Sequence, residues 1–88
     1  MSVLIGPIKW FKGRKIHKLC DRWRAAMREL GEPPSVTELT DDALLVGLKD
    51  LVHKENPGAS AEQLVSGALW TLEASVIAAE TRLEEARS

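Results

Sequence analysis

The chain has 88 residues, 44% apolar and 28% charged, and a chain this short buries roughly 60–70% of its unfolded surface, enough for one small core but not for a deep catalytic cleft. One cysteine excludes an internal disulfide, and the apolar content excludes a disordered chain. The net charge of −1 conceals a split: residues 1–30 carry eight Lys/Arg against Asp21 and Glu29, and residues 31–88 carry four against eleven acids.

Halves of +6 and −7 point either to a basic docking surface or to charge pairing between halves or subunits. The opening MSVLIGPI is not expected to be a signal peptide. Its apolar run ends at Ile5, Pro7 interrupts it, and no positive charge precedes it. No stretch approaches the roughly 18 apolar residues of a membrane span. The expectation is a cytoplasmic protein without integral membrane association. Residues 1–13 read as a non-helical basic arm, and residues 14–88 as a single helical-bundle domain. Extending the first helix back to Lys12 would put that lysine inside the helix's apolar stripe, and Gly13 is a natural break.

The first helix is expected over about 14–30. Ile16, Leu19, Cys20, Trp23, Ala26, Met27 and Leu30 recur in steps that make one stripe at about 100° per residue. Arg14, Lys15, His17, Lys18, Arg22, Arg24 and Arg28 occupy the opposite arc. Gly31 and the two prolines after Glu32 end the helix. A short helical turn is expected near 36–39, with Ser35 as its cap and Glu38 reaching back in a capping box.

The second helix is expected over about 41–54, capped by Thr40 or Asp41, with Leu44, Leu45, Leu48, Leu51 and Val52 as its buried stripe. Gly47 inside it costs about 1 kcal/mol relative to alanine unless it permits a close helix approach. Asn56-Pro57-Gly58 breaks the chain. The third helix, about 61–86, opens on a Ser60/Gln63 capping box. Val65, Leu69, Leu72, Val76, Ala79, Leu83 and Ala86 form a heptad seam, ready to pack against the first two helices or against a second copy. The fold class is therefore all-α, a small three-helix bundle with short loops. At 1.5 Å per residue the third helix is near 40 Å and the first about 25 Å, so the carboxyl end of the third should overhang or meet a partner. Trp70 and Ile77, one heptad apart, lie off the main seam. With Leu83 they are the candidate self-association residues.

The residue types needed for chemistry are sparse. His17 and Cys20 have the spacing of a two-ligand zinc pair on a helix, but one lies in the polar arc and the other in the apolar arc, so their side chains diverge. Cys20 on the core stripe reads as an inert thiol rather than a nucleophile. Asp41-Asp42 and Glu84-Glu85 are explained as helix-end residues, and no glycine loop matches a phosphate-binding fingerprint. The chain is expected to be non-enzymatic, with no cofactor, metal or catalytic residue.

Gly6-Pro7-Ile8-Lys9-Trp10-Phe11 resembles the G-x-V-K-W-F first strand of cold-shock domains. The aromatic-rich second strand of that family has no counterpart in Gly13-Arg14-Lys15-Ile16-His17, so the likeness is set aside. Three readings compete for the basic stretch. It is the solvated face of a bundle helix, paired in part with acids of the other helices. Or Lys9, Lys12, Arg14, Lys15, Lys18 and Arg22 touch DNA or RNA phosphates, with Trp10 stacking on a base. Or Trp10, Phe11 and the basic helix dock a partner, most simply a protein with an acidic surface, or an anionic membrane. The preferred reading is a small interaction or adaptor protein. It docks a partner protein through its basic first helix and arm and self-associates through the third helix as a homo-oligomer. Nucleic-acid binding is the alternative.

Overall fold

The computed structural model describes the backbone of residues 2–88 and the side chains of residues 13–88. Among the described residues the elements are α1 (Ser2–Glu29), the single turn α2 (Pro34–Thr37), α3 (Asp41–Glu55) and α4 (Ala61–Arg87), with no strand. The all-α bundle of three long helices is the expected one.

One boundary differs. α1 begins at Ser2, so residues 2–13 of the segment expected to be a non-helical arm are the amino-terminal part of the helix. Gly13 lies inside α1, and a Cβ there would meet nothing within 4 Å. An interior glycine costs a helix about 1 kcal/mol relative to alanine, too little to break it by itself. The end of α1 is as expected. Gly31 has φ +84°, Glu32 N–H donates to Met27 C=O and Gly31 N–H to Arg28 C=O, both at 3.0 Å. These are the paired bonds of a Schellman stop.

The short turn is capped differently from the expectation. It starts at Pro34, two residues early, with Pro33 as N-cap and no side-chain capping bond, so the Ser35/Glu38 box does not form. Proline suits the first helical position because the N–H it lacks would have no intrahelical partner there. Thr40 caps α3, its Oγ1 accepting from Ala43 N–H at 3.1 Å, and Asp41 and Asp42 lie in the positive first turn. Ser60 and Gln63 form the reciprocal box at the start of α4, at 3.2 and 2.8 Å.

α4 lies between the other two long helices; α1 touches α3 only sparingly. Leu19, Cys20, Leu72 and Val76 form the central cluster, surrounded by Ile16, Trp23, Leu44, Leu48 and Leu69. Ala26, Met27 and Ala79 form a second, closed by Trp23, Leu30 and Val36. Trp23 joins the two clusters. The whole α1 stripe read from periodicity is in the core, and the α4 seam packs against α1 and α3 rather than waiting for a second copy.

The seam is dry only in its middle: Leu72, Val76 and Ala79 are buried, whereas Val65 and Ala86 are exposed. On α3 no residue is fully buried, and Leu51, expected on the buried stripe, is 53% exposed. A helix that flanks α4 on one side can bury only the narrow line Leu44, Leu45, Leu48 and Val52. The close helix approach sought at Gly47 occurs instead at Gly67, where a Cβ would lie 3.0 Å from Val52 Cγ1.

Val52 beside Gly67, with Leu44 and Leu48 against Leu72, makes α3 and α4 antiparallel. α1 and α4 are parallel, as an up-down-up bundle requires. Their carboxyl ends are level, because Arg87 pairs with Glu29. The expected overhang of α4 is therefore absent: α1 has 28 residues and α4 has 27.

Candidate functional site on the basic helix and the exposed face of α4

Most of the described basic arc meets acids of this same chain. Lys15 Nζ stands 3.0 Å from Glu73 Oε1. Arg22 donates from Nε and Nη2 to the two carboxylate oxygens of Glu80 at 3.1 and 2.6 Å. This fork raises the Arg22 pKa and holds the Glu80 carboxyl below its ordinary value. Arg28 reaches the carbonyl of Thr37 at 3.4 Å. Part of the polarity between the halves is thus satisfied within one molecule, and Glu73 and Glu80 already have partners that do not belong to a second copy.

A second group of charges ties α1 to the start of α3. Arg24 bonds Asp21 Oδ1 at 2.6 Å, Asp41 Oδ1 at 2.8 Å and the carbonyl of Leu39 at 3.0 Å. His17 faces Asp41 Oδ2 through Nδ1 at 2.6 Å and Asp21 Oδ2 through Nε2 at 3.2 Å. The hydrogen bond with Asp41, then the charge of Asp21, raises the His17 pKa above 6.5. Burial acts to raise the Asp41 carboxyl, but the hydrogen bonds from His17 and Arg24 outweigh it and the value falls. Sequence reasoning missed this group. Three of its four members were legible, since His17, Asp21 and Arg24 succeed one another at steps of four and three on one helix face.

Lys9, Trp10, Phe11 and Lys12 were expected in the contact surface; their side chains lie outside the described residues. Arg14 and Lys18 are exposed and together line a shallow depression with Lys15, Leu19 and Arg22. Lys15 and Arg22 are in that depression but carry Glu73 and Glu80 beside them.

The self-association residues separate into two kinds. Trp70 is 74% and Ile77 63% exposed, on the outer side of α4. Leu83 comes after Val76 and Ala79 on the core side and is half-buried. It is less exposed than the other two.

An apolar groove of about 250 Å³ opens elsewhere, lined by Trp23, Leu39, Leu44, Gly47, Leu48 and Leu51 among others. Its walls carry no convergent polar groups.

His17 and Cys20 part as their arcs required: the imidazole is exposed, and Cys20 has no exposed surface. Burial, helped by the charge of Asp41, pushes the thiol up to about 11. A thiol so placed is protonated at neutral pH and shielded from electrophiles. No helix among the described residues is long and apolar enough to cross a membrane. Comparison of the chain with protein-family models, with curated proteins and with solved structures finds no match.

Proposed function

We propose that this protein acts by contact rather than by chemistry: a small interaction module that self-associates through the outer face of α4 and docks a partner protein through the basic side of α1. One observation carries the reading. Trp70 and Ile77 stand one heptad apart on α4, and both are mostly exposed. Tryptophan is among the usual anchors of a protein interface, and Ile77 extends the apolar surface beside it.

The neighbouring heptad positions on that face are Gln63 and Glu84. An antiparallel pair of α4 helices sets Trp70 against Ile77 of the second copy and Gln63 against Glu84. A parallel pair sets Glu84 on Glu84, like charge on like. The antiparallel homodimer is the favoured arrangement. Lys18 then lies exposed on the basic side of α1, at a surface suited to an acidic partner. The carboxylates of Glu73 and Glu80 beside Lys15 and Arg22 weigh against phosphate contact, because they offset the field a polyanion needs.

Light scattering over a concentration series tests the first half. The expected result is a dimer that Trp70→Glu converts to a monomer of unchanged helicity. A wild-type monomer at every concentration removes the proposal. For the second half, electrophoretic mobility shifts with DNA and RNA at low salt should show no complex. A complex that weakens steeply with added salt turns the reading to nucleic acid.

A further inference from the structure

We propose that His17 is a proton-operated latch that clamps the amino end of α3 onto α1 when both imidazole nitrogens carry protons, holding down the Trp23–Leu39 end of the apolar groove.

The geometry is a closed ring of four side chains. Asp41 gives one carboxylate oxygen to His17 Nδ1 at 2.6 Å and the other to Arg24 at 2.8 Å. Asp21 gives one oxygen to Arg24 at 2.6 Å and the other to His17 Nε2 at 3.2 Å. Each of the four oxygens faces one nitrogen. A neutral imidazole has a single N–H, and its other nitrogen offers a lone pair. In either tautomer that lone pair points at a carboxylate oxygen, so only the imidazolium completes the ring.

The charged groups around His17 are known on each side. Asp21 and Arg24 come from α1 and Asp41 from α3, and the buried Cys20 thiol borders Asp41. Two carboxylates against one guanidinium favour the cation.

The ring matters because little else joins these helices. α1 touches α3 sparingly, and no α3 residue is fully buried. Arg24 also holds the Leu39 carbonyl just before α3. Arg24 keeps its bonds at every physiological pH, so deprotonating His17 loosens the clamp without dissolving it. Trp23, Leu39 and Leu44, which line the groove at this end, are the side chains whose cover changes.

The raised pKa sets the sign. The latch is fully closed below 6.5, the ordinary histidine value, and loosens as pH rises through the higher value of the folded protein.

Amide hydrogen exchange read by NMR on the full chain tests this. The readout is protection at Leu44–Leu48 relative to Val76 in α4, corrected for intrinsic rates, from about pH 5.5 to 8.5. The expected result is an about two- to five-fold loss of relative protection across the His17 titration. His17→Gln should flatten that profile, and Asp41→Asn should bring the His17 midpoint down. A wild-type profile identical to that of His17→Gln overturns the latch. So does a His17 imidazole titrating at about 6.5 or below in the wild type.

Discussion

Arg22 holds both carboxylate oxygens of Glu80 across 58 positions of the chain. The same separation joins Lys15 to Glu73 and Glu29 to Arg87, so three ion pairs climb the α1–α4 seam one heptad apart. They are the flanking charges of a parallel coiled coil, set beside a seam that includes Leu19, Leu72 and Val76. The third rung has its signs reversed. Sliding α4 by one heptad brings Arg22 against Arg87 in one direction and Glu29 against Glu80 in the other. Each slip meets a like-charge contact, so the ladder selects register more than it adds stability.

Reversing a rung should therefore cost more than its exposure suggests. Glu80→Arg is expected to lower the melting temperature by a few degrees, and Arg22→Glu with Glu80→Arg to restore most of the loss. Thermal unfolding followed by circular dichroism at low salt measures both. A double variant no better than the single ones would remove the ladder as a coupled element.

Two tryptophans separate folding from contact. Trp23 joins both core clusters, and Trp23→Ala should cost about 2–4 kcal/mol through the cavity it leaves. Trp70 is three-quarters exposed, so Trp70→Ala should change the stability of the monomer by no more than about 0.5 kcal/mol. Urea titrations at low protein concentration distinguish them.

The glycines behave in opposite ways. Gly47 has open space where a Cβ would go, and Gly47→Ala should stabilise by about 0.5–1 kcal/mol. At Gly67 the added atom meets Val52. Gly67→Leu should destabilise by about 1–3 kcal/mol, with part of the loss recovered in Val52→Ala. Gly31, at φ +84°, should lose about 1 kcal/mol as alanine. Denaturant midpoints of the variants decide all three.

Cys20 reports on unfolding. With no exposed surface and a thiol pushed up to about 11, it should react with a disulfide reagent only from opened molecules. Labelling at pH 8 should be slow in the wild type, faster in Trp23→Ala, and immediate in urea. Prompt labelling of the native wild type would contradict the burial.

The pH profile of stability should be a dome. Asp41 and Glu80 have lowered pKa values, so their contribution is present above the ordinary carboxylate range and lost as pH falls through the folded values. The His17 contribution runs the other way, complete below 6.5 and lost above it. The maximum is expected between about pH 5 and 6.5. Asp41→Asn should flatten both limbs, as unfolding free energies across pH would show.

Periodicity and capping chemistry determined much by themselves. Ile16 to Leu30 named the buried stripe of α1, Ser60 with Gln63 named the start of α4, and Gly31 named the stop between α1 and α2. Each of these is a local relationship, set within a few residues by helix geometry or by hydrogen bonds of the nearest backbone. What only the tertiary structure decided lay across longer distances. The start of α1 depended on whether one interior glycine outweighs the turns on either side of it. Leu51 stayed exposed because α3 flanks α4 on one side only. Asp41 joined His17 and Arg24, and Glu80 joined Arg22, because parallel and antiparallel packing brought distant turns level. A charge has no periodicity that says which opposite charge it will meet; that is settled by the register of packed helices, and register is a property of the whole bundle.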